Sequence, residues 1–455
     1  MRSAGLAPFG FFWAFALLYH QVAYAAFLAS PFDIALTLAA LVTLVFPASP
    51  RALAALSVYH ILAVLHALPS VTNHWYFGGL VSGALLIACL GDWWSGRKNK
   101  AVLDGQGILD RFAPAGRLSV ALVYGLSGFH KLNADFFTPG VSCATELTER
   151  AARFVGVAAV MPDPGMLVVW LTVIVELGLP VLLLVPRTRL AGIVVAIGFH
   201  VVMALAGYPR FSATGVALLS LFLPGEVFRP WFRWTAERLA ATALGLRIGV
   251  AVGLFLSAIT SSTWAGRVFL AMQLLLTALL LAAVVRAWAR SWALPRVMHP
   301  GPESPWRQPA LLVPAFLVAI AAQPYLGLPT DRALGMYSNL RTEGGATNHF
   351  VIPSSWQLFP YQRDVVIVET ASAPELQRLA EQGLMVPFQE LRARLTEVLR
   401  RSPDDISLTY QRGGRVYRVQ SVRADAELDV PITRLQMMVF RFRPVEVSGP
   451  RACTL

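Results

Sequence analysis

The sequence predicts an all-α polytopic membrane helix bundle of about 9–11 spans, followed by a small C-terminal α/β extramembrane domain. Three observations carry this expectation. Hydrophobic residues make up 56% of the chain and charged residues only 14%, a balance outside that of soluble domains. Apolar runs of membrane-spanning length succeed one another up to about residue 325. Beyond about residue 330 the pattern changes to alternating strands and charged helices. The expected organisation is therefore a bundle at 1–325, a polar connector at 326–350 and an outward-facing domain at 351–455.

The first apolar run, 7–28, follows Arg2 in the manner of a signal peptide. It is long for one, however, and it contains Tyr19, His20 and Gln21, so it reads as a span. Further spans are expected at 34–47, 52–69, 75–91, 117–133, 166–186, 190–207, 211–223, 246–261, 266–287 and 309–324. The formal charge of +12 sits mostly in short loops, which marks topology rather than nucleic-acid binding. Placing Arg2, Arg51, Arg97 to Arg117, Arg187, Arg189, Arg229 to Arg247 and Arg286 to Arg307 on one side collects most of the positive charge there. That side is the cytoplasm under the positive-inside rule. The N-terminus is then cytoplasmic, and residues 330–455 are periplasmic or extracellular. The Ala, Leu and Arg bias points to a bacterial inner membrane. Reporters fused at Gly301 and Pro403 are expected to label opposite sides; the same label at both would overturn this topology.

Polar residues inside spans are the next signal. His20, His60, Glu176, His200 and Gln273 fall near mid-span, where a polar group requires a partner. One reading is interhelical hydrogen-bond glue; Glu176 and His200, on consecutive spans, also suit a neutralising pair. No metal is expected, because His60 and His66 lie on different helix faces and no HxxxH box occurs. Cys89, Cys143 and Cys453 form no CxxC spacing.

The most informative stretch is YGLSGFHKLNADFF at 124–137, where an apolar run ends in His130, Lys131, Asn133 and Asp135. Counted from Arg117 at about 1.5 Å per residue, Lys131 lies roughly 21 Å into a layer about 30 Å thick. A lysine there either snorkels to the headgroups or stays in a protein-lined cavity as a usable base. The charge topology puts His74 and Lys131 on the same outer face.

NHWYFGGL at 73–80, GFHKLNADFF at 128–137, ELGLPVLLLVPRTR at 176–189 and FHVVMALAGYPRFSATGVALLSLFLP at 199–224 resemble, in order and spacing, the HTTM family, the horizontally transferred transmembrane domain typified by vitamin K-dependent gamma-carboxylase. The resemblance covers roughly residues 5–325. It implies that Lys131 is the base toward a reduced, vitamin K hydroquinone-like quinone. It gives functional weight to Asn73, His74 and His200, with Tyr76, His130, Asn133 and Glu176 as cofactor-binding candidates. The chain departs from the carboxylase at His130, Asn133 and Phe136, where that enzyme has lysine, aspartate and tryptophan. The expected function is a carboxylase- or oxidoreductase-like membrane enzyme acting on a quinone or other lipophile. The alternatives are a non-catalytic lipid- or quinone-binding or transport protein, and a structural role. Membrane lipids and a lipophilic small molecule are the expected partners, without nucleic acid; a protein substrate fits poorly, because the tail is small.

That tail reads as a strand at 364–370, helices in PELQRLAEQG and PFQELRARLTEVLRRS, a hairpin turning at Arg412 to Gly414, and a closing strand in TRLQMMVFRFRPVEV. The connector MYSNLRTEGGATNHF at 336–350 either folds over the outer mouth of the bundle, offering Arg341, Asn348 and His349 to an anionic or carbonyl group, or satisfies its own turns. Cys143 and Cys453, both outward, either pair or remain two unrelated thiols, while Cys89 lies within a span and stays reduced.

Overall fold

The computed structural model describes residues 5–23, 29–97, 104–160, 165–228, 263–290, 308–401, 404–430 and 432–453. Helix α1 (Leu6–Ala23) is buried over almost its whole length, as suits a helix that is apolar all round. It packs against α2 (Pro31–Val45) and α9 (Pro209–Leu219). Helices α2 and α3 (Pro50–Ala67) begin alike: Ser30 accepts from the Asp33 N–H and Ser49 from the Ala52 N–H, and a proline follows each cap. The hydroxyl satisfies an orphan donor, and the proline occupies a position whose N–H would be unpaired anyway.

Helix α4 (Asn73–Arg97) packs between α3 and α5 (Gly105–His130), and α5 packs most extensively on α7 (Gly165–Leu184). Helices α7 and α8 (Arg189–Leu205) form a hairpin bridged by α6 (Cys143–Val155). Helices α10 (Thr263–Ala289) and α11 (Leu312–Ala322) complete the described bundle. On α7, Val169, Val173, Glu176, Leu179 and Leu183 face inward. Leu167, Leu171, Ile174 and Val181 are exposed, an apolar outer stripe of the kind a bilayer covers.

Among the described residues, six helices are long and apolar enough to cross a membrane, and α2 and α8 are shorter apolar helices. This is fewer than the 9–11 spans the hydropathy pattern predicts. The expected span 246–261 lies outside the described residues. The expected span 211–223 is the 11-residue α9 with a 3-10 turn at Ser220–Phe222, too short to cross hydrocarbon. The expected span 117–133 is the second half of α5, which starts at Gly105 because Asp104 caps the N–H groups of Gln106 and Gly107. The segment after α5 contains α6, an amphipathic helix stopped by Gly156 at φ 79°. Glycine adopts this left-handed conformation without a Cβ clash.

The C-terminal domain is a five-stranded antiparallel sheet in the order β4-β3-β1-β2-β5. Its strands are β1 (Val365–Ala371), β2 (Leu384–Pro387), β3 (Leu408–Arg412), β4 (Arg415–Val419) and β5 (Val445–Glu446). Helices α12 (Pro374–Glu381) and α13 (Phe388–Arg401) carry the apolar faces that share its core. The β3–β4 hairpin turns at Gly413 and Gly414, both at positive φ, as a two-residue turn of this hand requires. The closing segment is not simply a strand. Thr433 and Gln436 form a reciprocal capping box that starts α14 (Arg434–Val439), and only Val445–Glu446 joins the sheet.

Residues 327–362 form a strap from the bundle into this domain. Asn133 and His349 make a β-bridge, the Ala134 N–H donates to Asn348 O at 2.9 Å, and the Phe350 N–H donates to Leu132 O at 2.9 Å. The strap therefore folds back over the end of α5. Four non-glycine residues in it have positive φ: Arg332 at 61°, Leu334 at 59°, Tyr337 at 51° and Asn339 at 52°. A left-handed conformation costs roughly 1–2 kcal/mol per residue, so such clusters persist only where surrounding contacts hold them. The chain end is also clamped: Cys453 is bridged to Cys143 with Cα atoms 5.0 Å apart, and the Arg451 N–H donates to Asp135 Oδ2 at 2.8 Å.

Candidate functional site

The end of α5 is positioned by glycine. A Cβ at Gly125 would lie 3.1 Å from the Pro180 ring, and one at Gly128 would lie 3.0 Å from Glu176 Cβ. These positions, one helical turn apart, let α5 and α7 approach closely, in the manner of small-residue seams between membrane helices. Lys131 is the C-cap of α5, where the carbonyl end of the helix dipole favours a cation.

Lys131 does not snorkel. It is 3% exposed, and its Nζ lies 2.7 Å from Glu176 Oε2. Nζ also donates to Ser127 Oγ at 3.0 Å and to the Met336 carbonyl at 3.3 Å. An ammonium has three N–H donors, and here each has an acceptor. The pair forms the polar end of a cavity of about 300 Å³ between α6, α7 and α8. Phe136, Val175, Phe199, Met203 and Tyr337 provide apolar wall. The cavity also reaches Leu171 on the outer stripe of α7, so it communicates with the exposed apolar surface of the bundle.

The expected constellation is only partly assembled. Of the four residues expected to be catalytic, Lys131 lines this cavity, and Asn73, His74 and His200 do not. His74 stands beside His20, ring centroids 5.4 Å apart, and its Nε2 is 3.4 Å from Thr72 Oγ1. Asn73 opens α4 next to it. His20 stacks on Trp75 at 3.6 Å, and His60 binds Ser82 Oγ through Nδ1 at 2.9 Å. These residues belong to the packing of α1, α3 and α4. His200 does not neutralise Glu176; its Nε2 meets the Tyr124 hydroxyl at 2.7 Å, and its ring occupies the space a side chain at Gly215 would fill. Glu176, a cofactor-binding candidate, lines the cavity and takes Lys131 rather than His200 as its partner.

His130 and Asn133, also expected at the cofactor, hold the strap. His130 Nδ1 bonds the Tyr325 hydroxyl at 2.7 Å and Nε2 the Ala333 carbonyl at 3.0 Å. Asn133 Nδ2 donates to His130 O at 2.8 Å and to Ser338 O at 2.6 Å, while Oδ1 accepts from the Phe136 N–H. Tyr76 lines a different cavity, between α3, α4 and α11. In the connector, His349 Nδ1 accepts from the Val351 and Ile352 N–H groups, so Nε2 carries the proton it donates to Phe129 O at 3.0 Å. Burial lowers its pKa from the usual histidine value, against the Phe129 hydrogen bond that raises it. Asn348 Nδ2 donates to Asp135 Oδ2 at 2.7 Å and to Asn339 O at 2.8 Å, and its Oδ1 accepts from the Arg341 N–H. His349 and Asn348 thus satisfy the fold of the connector rather than presenting ligand groups.

The residues that complete the Lys131 site but were not singled out from the sequence are Ser127, Met336 and Tyr337. Ser127 was legible, since it lies four residues before Lys131 and so on the same helix face. Met336 and Tyr337 carry no local signal; the strap brings them about two hundred residues along the chain to Lys131. Among the described residues, no cluster of His, Cys, Asp and Glu that could hold a metal is present.

Comparison with known families gives one finding: the model of the HTTM domain matches residues 9–224, which contain α1 to α9 and both members of the Lys131–Glu176 pair. No curated protein and no solved structure matches the chain.

Proposed function

We propose, for a chain that carries an HTTM domain and six helices long and apolar enough to cross a membrane, that it is a membrane enzyme of the vitamin K-dependent gamma-carboxylase kind, removing a proton from a lipophilic substrate at Lys131. The observation that carries this reading is a buried Lys131–Glu176 pair at the inner end of an otherwise apolar cavity that communicates with the exposed apolar surface of the bundle. Apolar sites with a few convergent charged groups are the usual form of a binding or catalytic pocket, and about 300 Å³ is the lower end of the range such pockets occupy. A reduced quinone headgroup fits these walls, with its chain directed toward Leu171. When bound, it supplies an acidic phenolic hydroxyl and an oxidisable ring.

The chain's own residues perform the proton step. Lys131 Nζ passes one proton to Glu176 Oε2, leaving a neutral amine beside a neutral carboxylic acid. The amine lone pair then takes the proton of the substrate hydroxyl, so that an ammonium faces the new oxyanion. Ser127 Oγ and the Met336 carbonyl hold Nζ in place throughout, and Phe136, Phe199 and Tyr337 keep water from the amine. The Cys143–Cys453 bridge supports placing this end of the bundle and the C-terminal domain in an oxidising compartment, outside the cytoplasm of a bacterial inner membrane.

That all three Nζ donors already have protein acceptors favours a second reading, in which the cavity binds a lipid or quinone without turnover. Purified protein in lipid nanodiscs, supplied with a reduced quinone and O2, separates the two. Oxidation by the wild type, lowered at least about a hundredfold in Lys131→Ala with quinone binding retained, is the expected result. Equal rates in both proteins would remove Lys131 from the chemistry, and binding without oxidation by the wild type would leave the second reading.

A further inference from the structure

The cavity that receives Tyr76 has the construction of a lipid site. It measures about 420 Å³ and lies between α3, α4, α11 and the C-terminal α14. Its walls are aliphatic and aromatic except for Gln323 on the turn after α11 and the adjacent Asp331 and Arg332 of the strap. Arg332 is 6% exposed, and its guanidinium carbon stands 5.9 Å from the centroid of the Tyr76 ring. Its Nε side is occupied by the Asp331 carboxylate at 3.3 Å. Among the described residues no protein acceptor is hydrogen-bonded to Nη1 or Nη2. A guanidinium fork that is removed from bulk water and lacks an acceptor on its Nη face is matched by a two-oxygen anion.

The surroundings identify what carries that anion. Leu65 and Phe316 line the cavity and are about half exposed on α3 and α11, both within helices apolar enough to cross a membrane, so its open side faces hydrocarbon. Arg332 lies beyond the C-terminal end of α11, where α3 ends, α4 begins and the strap has taken over from the bundle. That is headgroup depth. Leu435, 70% exposed on α14, lines the same cavity from the C-terminal domain. The left-handed φ of 61° at Arg332 turns the strap at the residue that projects into this cavity, as at other ligand clamps where local strain is held.

We infer that this cavity binds one anionic phospholipid, whose phosphate is held by the Nη1 and Nη2 face of Arg332 and whose acyl chain lies along α3 and α11. The lipid joins the C-terminal domain to the bundle through α14. This site is distinct from the Lys131 cavity and does not depend on turnover there.

The test uses the full chain, delipidated in detergent and examined by native mass spectrometry with added palmitoyl-oleoyl phosphatidylglycerol, the phosphatidylcholine of the same chains, or inorganic phosphate. Wild type is expected to retain one phosphatidylglycerol, with phosphatidylcholine at least tenfold weaker and no displacement by millimolar phosphate. Arg332→Gln, which keeps polarity and removes the charge, is expected to weaken retention at least tenfold, as is Leu435→Glu, an exposed change that brings a like charge to the cavity without altering the core. Retention by both variants equal to wild type would overturn the assignment. Equal retention of phosphatidylcholine would remove the anionic specificity, and displacement by inorganic phosphate would reduce the site to an anion site that recognises no lipid.

Discussion

Lys131→Met is expected to destabilise the bundle by about 3–5 kcal/mol, because it leaves Glu176, 4% exposed, without its counter-charge. The single change removes an ammonium that has three acceptors within reach and leaves a carboxylate, a hydroxyl and a carbonyl around an apolar side chain. Methionine retains most of the volume, so cavity formation contributes little and the electrostatic term dominates. Removing both charges in Lys131→Met/Glu176→Leu is expected to recover most of the loss, since a buried ion pair replaced by apolar groups of similar size is often neutral in stability. Unfolding of the purified protein in detergent, measured for wild type, both single variants and the double variant, gives the coupling between the two positions. Additive effects would mean that the pair is not an energetic unit. The prediction concerns stability alone and is independent of whether the site turns over a quinone.

Cys453→Ser is expected to cost about 3–5 kcal/mol in the attachment of the strap and C-terminal domain. The bridge to Cys143 spans a sequence separation of 310 residues, and the entropy removed from the open chain grows with loop length, although slowly. Releasing it also loosens Asp135, which accepts from the Arg451 and Asn348 groups that seat the chain end on the α5–α6 turn. Non-reducing gels of intact protein should show a mobility shift on reduction that Cys453→Ser abolishes. Limited proteolysis should cut the variant faster near the strap. Free thiols at both positions in protein isolated from an oxidising compartment would contradict the bridge. Cys89 remains a buried thiol in either case.

Much of the architecture was legible because it rests on local signals. Ser30 and Ser49 before prolines mark helix starts, Gly413–Gly414 marks a hairpin, and the apolar runs mark helices in a membrane. The misread places have equally specific causes. Residues 433–447 read as one strand because of their apolar alternation, but the capping box of Thr433 and Gln436 starts a helix there. Helix α6 was not expected from the apolar runs, because it is charged on one face and has a 3.6-residue period rather than a continuous apolar run.

The sequence by itself determined the class of protein, the family resemblance and the single lysine on which the proposed chemistry depends, since composition, hydropathy and the GFHKLNADFF stretch are properties of neighbouring residues. Only the tertiary structure decided what surrounds that lysine. Gly125 and Gly128 let α5 approach α7, and that approach chose Glu176 for Lys131 and left His200 to Tyr124. The strap, through left-handed residues that no local preference foretells, brought Met336 to Lys131 and Arg332 to a separate cavity. Partner choice for a buried charge depends on which backbones can come within a few ångströms of each other, and that distance is set by packing across the whole bundle rather than by the residues adjacent in the chain.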